Sequence, residues 1–364
     1  MKLFLLLFLT AFRVAFVGDP QVDDSTELGF ARASVFAELL ERKDLDLVVI
    51  MGDLVNEKTE LLPACFGILD SLPCPWVRVQ GNHDGKAIPA DSSFVAGGIR
   101  FVLLNREDSP LPRERAGEKT VFCSHYPFGA VADSSSNCLY VSAHLHTVFR
   151  EMKGGAQHLG VGASCGTWWR GIPDRHGIPY ALMNCGARRG YFVAQFFPKR
   201  RRNWFRLEYK VIGENESVQG KAFVNDSSLV INLFGGAPFG SLEVRTPRGW
   251  RKAERLEAID PEVQGLIELN RNTPRELKKR NRRAYIPMLR RNSPHLWELP
   301  LEEFAGKDGE KRQKAGAAPD SGGRQATEKR QADCALPAIG DRIRIRIRYR
   351  DASMRVKCEV EVQK

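Results

Sequence analysis

The chain has no Cys-x-x-Cys pair among its eight cysteines, which stand at Cys65, Cys74, Cys123, Cys138, Cys165, Cys185, Cys334 and Cys358. A zinc knuckle or a thioredoxin-type redox site needs that spacing, so neither is supported. Cys123 and Cys138 sit in apolar runs, where a buried free thiol is the default, and no disulfide pairing follows from the spacings. The apolar stretch Leu3 to Phe12 falls short of the about 20 residues a spanning helix needs. With 43% hydrophobic and 27% charged residues over 364 positions, the composition is that of a globular chain rather than a disordered one, and it is long enough for two cores.

The formal charge is +11, gathered in Lys199 to Arg202, Arg271 to Arg283 and Arg342 to Arg350. Such an excess serves either a solvated face or an anionic partner. A nucleic-acid groove wants exposed aromatics among the basic residues, and only Trp204 and Phe205 beside the first cluster meet that. A polyanion therefore stays a minor reading, and the first cluster reads as a hairpin tip. Met1-Lys2 followed by Leu3 to Phe12 has the basic start and short apolar core of a secretory signal. The competing reading is a lead into the first core strand, because apolar residues resume at Val14 with almost no spacer. Residues 1–12 are thus read as a signal and the protein as secreted or periplasmic, with a cytoplasmic location as the alternative.

Taken in order, Phe12 to Val17 reads as a strand ending in Gly18-Asp19-Pro20-Gln21. Leu28 to Leu40 has helical apolar spacing, with Ser25 or Thr26 as the N-cap. Leu45 to Met51 is a strand covered on both faces and ends in Gly52-Asp53-Leu54-Val55-Asn56. Thr59 to Leu69 is a second helix, and Trp76 to Val79 a third strand leading into Gly81-Asn82-His83-Asp84. This β-α-β-α-β pattern predicts a largely parallel sheet whose carboxyl ends carry Asp19 and Gln21, Asp53 and Asn56, then Asn82 and His83 to one edge. Arg100 to Leu104, Thr120 to Cys123 and Cys138 to Val141 read as further strands. The last two open into Ser124-His125 and Ser142-Ala143-His144-Leu145-His146, and an i, i+2 histidine pair on an extended segment puts both rings on one side.

Two aspartates, an Asn, a Gln and three His form a mixed oxygen and nitrogen donor set that suits manganese, iron or zinc. With one carboxylate bridging, two such ions about 3.5–4 Å apart bind a phosphate and activate a water. His83 is then free as the proton donor or charge stabiliser, with Asp84 available to orient its ring.

Five segments, Asp19-Pro20-Gln21, Gly52-Asp53, Gly81-Asn82-His83-Asp84, His125 and Ala143-His144-Leu145-His146, resemble in order the signature of the calcineurin-like metallophosphoesterases: D-x-H, G-D, G-N-H-D/E, H and G-H-x-H. The resemblance implies Asp19, Gln21 and His146 on one metal, Asn82, His125 and His144 on a second, and Asp53 bridging. It implies His83 as the phosphate-contacting acid with Asp84 behind it. Gln21 stands where the signature has His, a form found in some branches, and is a weaker donor. Ala143 stands where it has Gly, so a methyl crowds the backbone there. The stretch from Asp84 to His125 is short, which leaves the site open.

Downstream, Gly162-Ala163-Ser164-Cys165-Gly166-Thr167-Trp168-Trp169 and Asp174-Arg175-His176-Gly177-Ile178-Pro179 resemble the segment leading to a C-terminal module in secreted bacterial members. A third motif is degraded at Asn184 to Tyr191. Trp168 and Trp169 line the pocket mouth or pack the domain junction, and His176 reads as an exposed loop residue. From residue 213 short strands with turns predict a small antiparallel β-sandwich, including the strictly alternating Arg342 to Arg350, with Ser293-Pro294-His295-Leu296-Trp297 late in the module. Residues 306–332 read as a flexible loop.

The expectation is therefore an α/β calcineurin-like phosphoesterase sandwich, with sheets flanked by helices, over residues 13–212, followed by a β-sandwich module over 213–364. The expected function is hydrolysis of a phosphate mono- or diester on a small phosphorylated substrate, using two divalent ions. The alternative is a non-catalytic extracellular binding protein that keeps the fold.

Overall fold

Phe12–Val17 (β1) passes from half-buried to fully buried along its length because it runs into the middle of a five-stranded sheet. This is a computed structural model that describes residues 11–115, 117–129, 135–305, 338–339 and 342–363. The expected flexible loop, and most of the expected signal segment, lie outside the described residues. Leu47–Ile50 (β2) and Trp76–Arg78 (β3) extend the sheet in parallel from β1. Parallel neighbours need crossovers, and here each crossover is helical. The first comprises Ser25–Ala31 (α1), a π-helical turn over Arg32–Phe36 and Ala37–Glu41 (α2). The second is a 3₁₀ turn at Thr59–Leu61 leading into Leu62–Leu69 (α3). The N-cap of α1 is Asp24, not Ser25 or Thr26: its carboxylate accepts from Thr26 N at 2.8 Å and Glu27 N at 2.9 Å. One carboxylate oxygen satisfying two orphan amides outcompetes a hydroxyl one residue later.

A second sheet is built from Ser92–Ala96 (β4), Ile99–Leu104 (β5), Thr120–Ser124 (β6), Cys138–Ser142 (β7), Val148–Lys153 (β8) and Ala156–Val161 (β9), in the order β4-β5-β6-β7-β9-β8. Its inner strands are parallel and its edge strands antiparallel. Gly190–Phe196 (β10) and Phe205–Val211 (β11) return antiparallel to the free side of β1. Their connecting turn carries the basic residues 199–202, and Trp204 and Phe205 beside it are buried core residues. The sheets pack face to face, with Phe101 centred 6.4 Å from Phe12 and 6.0 Å from Phe196. The helices cover the outer face of the first sheet, where Tyr191 Oη donates to Glu38 Oε1 at 2.7 Å. Side chains such as Val14 and Phe16 are completely buried, each contributing about 1.5–3 kcal/mol. That packing holds the strand ends rigid where they carry polar residues.

The C-terminal β module has Gly220–Val224 (β12), Ser228–Leu233 (β13), Ser241–Thr246 (β14), Gly249–Leu256 (β15), Leu296–Pro300 (β16), Ala338–Ile339 (β17), Arg342–Arg350 (β18) and Arg355–Gln363 (β19). The sheet closes on itself: β18 pairs with β19 on one side and with β14 on the other, so the module is a barrel rather than two separate sheets. One pairing, β12 with β19, is parallel. Closure removes the edges an open sheet would expose. Ile345, Ile347 and Tyr349 face inward and are buried, as the alternation requires. Between β15 and β16 stand two helices, Pro261–Asn272 (α4) and Arg275–Arg280 (α5). They occupy most of the second basic cluster. The barrel is fastened to the second sheet by Arg150 of β8, whose buried guanidinium lies 3.0 Å from both carboxylate oxygens of Asp351. Among the described residues no helix is long and apolar enough to cross a membrane.

Candidate metal centre

The carboxyl ends of five strands converge at one place. β1 delivers Asp19 and Gln21, β2 delivers Asp53, and the loop after β3 delivers Asn82 and His83. The facing sheet delivers His125 after β6, and His144 and His146 after β7. Backbone bonds fix the loops to one another: Gln21 N donates to Asp53 O at 2.8 Å, Cys165 N to Asp19 O at 3.1 Å, and Ala143 N to His125 O at 3.0 Å. Gly81 is required by this crowding, since a Cβ there would stand 2.1 Å from Asp53 Oδ1. Ala143 is buried in the core, and the residue it faces is Gly18; even a Cβ on Gly18 would stand 3.3 Å from that of Ala143. The methyl is thus accommodated without moving a ligand.

The seven polar residues fall into two groups. In one, His125 Nε2 lies 2.9 Å from Asn82 Oδ1, 3.1 Å from His144 Nδ1 and 3.2 Å from Asp53 Oδ2. Donor atoms of Asp53, His125 and His144 all fall within 4.8 Å of one another. In the other, Cys165 Sγ sits 3.8 Å from Gln21 Oε1 and 3.9 Å from His146 Nδ1. The Asp19 carboxylate approaches the first group, with Oδ1 at 3.7 Å from His125 Nδ1.

Ring tautomers follow from the partners. His125 Nδ1 lies 2.9 Å from Met51 O and His146 Nδ1 lies 2.6 Å from Gly166 O. A carbonyl only accepts, so both Nδ1 atoms carry a proton, which leaves each Nε2 as the nitrogen a metal could take once it is free of a proton. Burial pushes His146 down to about 4, which keeps it in the neutral form a metal needs. Burial also lowers His125, but the hydrogen bond to Asp53 and the charges of Asp19 and Asp53 outweigh it and raise the ring to about 9. Desolvation raises Asp19 well above the usual carboxylate range, and both its oxygens are buried without a hydrogen-bond partner. A buried carboxylate, three imidazoles and two amide oxygens pointed at each other call for cations. The residues fit divalent metal.

Five of the seven, Asp19, Gln21, Asp53, His144 and His146, have left-handed backbones, with φ between 40° and 65°. Each costs about 1–3 kcal/mol for a non-glycine residue, and such strain gathers where a site must be over-determined. The His144/His146 pair is thus carried on two left-handed bends, not on the extended segment its spacing suggested; strand β7 has already ended at Ser142.

Asp84 is not behind the His83 ring. Its buried carboxylate accepts from Gly81 N at 3.1 Å and Val55 N at 3.3 Å and pairs with Arg78 at 3.3 Å, so it positions the loop. The carboxylate beside the ring is that of Glu57, 3.7 Å from His83 Nδ1, and Glu57 N also donates to His83 O at 3.1 Å. Glu57 was missed because it follows its strand without periodicity; only its place just after the Asp53 turn pointed to it. The adjacent tryptophans divide: Trp169 is buried and donates to Pro20 O at 2.8 Å, whereas Trp168 is exposed and lies 5.2 Å from the His146 ring. His158 and His295 are buried structural residues bonded to Ser142 and Glu151, and to Asn232, respectively. His176 is exposed.

A cluster of cation ligands at the strand ends of two facing sheets marks an α/β protein built to hold divalent metal. Residues 12–186 match the calcineurin-like phosphoesterase model and residues 158–311 match the C-terminal module of calcineurin-like phosphoesterases. The chain belongs to the calcineurin-like phosphoesterase family, and is a metal-dependent phosphoesterase with that family's C-terminal module. No curated protein matches it. Among solved structures it is similar to a dimetal phosphatase from Danio rerio (13% identity, 62% of this chain and 96% of that one, TM-score 0.35). It is also similar to the phosphoesterase Yfce from E. coli (15%, 50% and 87%, 0.30) and to zinc-complexed Vps29 from Entamoeba histolytica (14%, 61% and 91%, 0.28). Likeness at this level adds no weight to the family match.

Proposed function

We propose that this chain hydrolyses a phosphate mono- or diester of a small phosphorylated substrate with two divalent cations, manganese, iron or zinc. Asp19, Gln21 and His146 would hold one, Asn82, His125 and His144 the other, and Asp53 would bridge them. The observation that carries this reading is the meeting of His125 Nε2, His144 Nδ1 and Asn82 Oδ1 within about hydrogen-bond distance, next to a buried carboxylate whose two oxygens accept no hydrogen bond. Bound there, such ions supply Lewis acidity to phosphoryl oxygens and lower the pKa of a water.

The chain's own residues do the rest. Met51 O and Gly166 O lock the two imidazoles in the ligating tautomer. His83, a third exposed at the mouth, would serve as proton donor to the leaving oxygen, with the exposed Glu57 carboxylate 3.7 Å from its Nδ1. Asp84 keeps the backbone of Gly81 in place so that Asn82 and His83 face the centre. The open approach leaves room for either ester class.

Elemental analysis after reconstitution tests the reading. Two divalent ions per chain are expected, falling to about one in His125→Ala and in His146→Ala. A chain that takes up none would favour the non-catalytic binding protein.

A further inference from the structure

Beside Gln21 a cavity of about 320 Å³ opens, lined also by Asn56, Trp168, Arg170, Arg282 and Arg283. The three arginines have different tasks. Arg283 is a clamp: its guanidinium lies 2.6 Å from Asp24 Oδ2, and its carbonyl accepts from Gly171 N at 2.7 Å. These two bonds tie the chain after α5 to the α1 N-terminus and to the Trp168 loop. Arg170 and Arg282 are held at the cavity by that clamp, and among the described residues neither has an ion-pair partner. Of the acidic residues on the wall, Asp24 is taken up by α1 and Arg283, and Glu27 accepts from Asp23 N at 2.9 Å. Asp23 is left as the one acidic group there without such a bond.

Ring contacts measure the path from the centre to this pair. His146 lies against Trp168 at 5.2 Å, and the Arg170 guanidinium stands over that indole at 6.0 Å. Two neighbouring guanidiniums repel each other unless an anion sits between them, and a low-dielectric cleft strengthens both effects. Burial and the nearby Arg282 pull Arg170 below its usual pKa, although the charge of Glu27 acts the other way. A phosphate satisfies such a pair with bidentate hydrogen bonds.

We propose that Arg170 and Arg282 form a second anion subsite, so that the preferred substrate is a small phosphoester carrying another phosphate about an indole's width from the one cleaved. This inference rests on the phosphoesterase reading above. It gives a use to the second basic cluster and to the exposed Trp168, and makes the C-terminal module a part of substrate selection.

The test compares pentanediol bisphosphate with pentyl phosphate, following phosphate release by the metal-loaded protein. The bisphosphate is expected to have a kcat/KM higher by about tenfold or more, mostly through KM. The ratio should fall towards one in Arg170→Gln and in Arg282→Gln. Arg282 is exposed, so its variant folds even if that of Arg170 does not. Calorimetric binding of pentane bisphosphonate should weaken in parallel. A wild-type ratio near one, or a ratio and a binding constant both unmoved in the Arg282 variant, overturns the subsite while leaving the phosphoesterase standing. No turnover of either ester overturns both.

Discussion

His125 Nε2 stands 3.1 Å from His144 Nδ1 and 2.9 Å from Asn82 Oδ1, with its own Nδ1 proton already given to Met51 O. Each of these contacts needs a hydrogen on one of its two atoms unless a metal ion takes its place. Either a proton or a metal ion must lie among them, and the two compete for the same place.

From that competition follows a difference between the stripped and loaded protein. His125 in the metal-free fold is raised to about 9 from an unfolded value near 6.5. Its proton therefore stabilises the metal-free fold fully below about pH 6.5, and that contribution disappears as pH rises through 9. The gap in thermal midpoint between loaded and stripped protein should widen from pH 6.5 to 9. A constant gap would argue against a proton standing in for the metal.

On the acid side the sign reverses. Burial and the charge of Lys153 push His158 down to about 4, and burial with the charges of Arg255 and Lys221 pushes His295 down to about 3. Both are neutral in the fold and charged when unfolded below about pH 6.5. Stability should fall as pH drops from 6.5 towards 4 whether or not metal is bound, and His295→Gln should flatten part of that slope in acid melts.

His83 and the ligands should separate kinetically. His83→Ala is expected to keep its metal and lose about 10²–10⁴ in kcat, as removal of a general acid does. Asn82→Ala and His125→Ala should lose metal and activity together. Equal metal loss in all three would place His83 among the ligands.

Asp84 should behave as a loop anchor. Asp84→Ala strands the Gly81 and Val55 amides and is expected to cost about 1–3 kcal/mol in denaturant unfolding. Asp84→Asn, which keeps an acceptor, should recover much of it. If Asp84→Asn were as damaging as Asp84→Ala while stability held, a direct role in proton transfer would be indicated.

The fastening of barrel to sheet is also testable. Arg150→Met leaves Asp351 buried without its cation and should destabilise by about 3–5 kcal/mol, with Arg150→Met/Asp351→Leu recovering part of the loss. Additive losses in the pair would contradict the coupling.

Much of this architecture was legible because it rests on local pattern. Buried parallel strands read as apolar runs, so β1, β2 and β3 and the residues at their ends were placed from the sequence. Interactions between distant segments were not legible. Pairing of Ser241–Thr246 with Arg342–Arg350 turns an expected sandwich into a barrel, and no periodicity encodes which strands meet. The left-handed bends at His144 and His146 break the extended geometry that i, i+2 spacing assumes. Asp260-Pro261 was a readable helix start, with a capping carboxylate before proline at the first turn, hidden among strand signals. Glu57, not the expected Asp84, stands beside the His83 ring, because sequence adjacency to His83 is no guide to which carboxylate reaches it.

The most direct measurement is turnover of nitrophenyl phosphate and bis(nitrophenyl) phosphate by the manganese-reconstituted protein, before and after chelation. Metal-dependent phosphoesterase activity predicts nitrophenolate release from at least one compound, abolished by the chelator and restored by added manganese. Release that survives chelation, or no release from either compound, would contradict it.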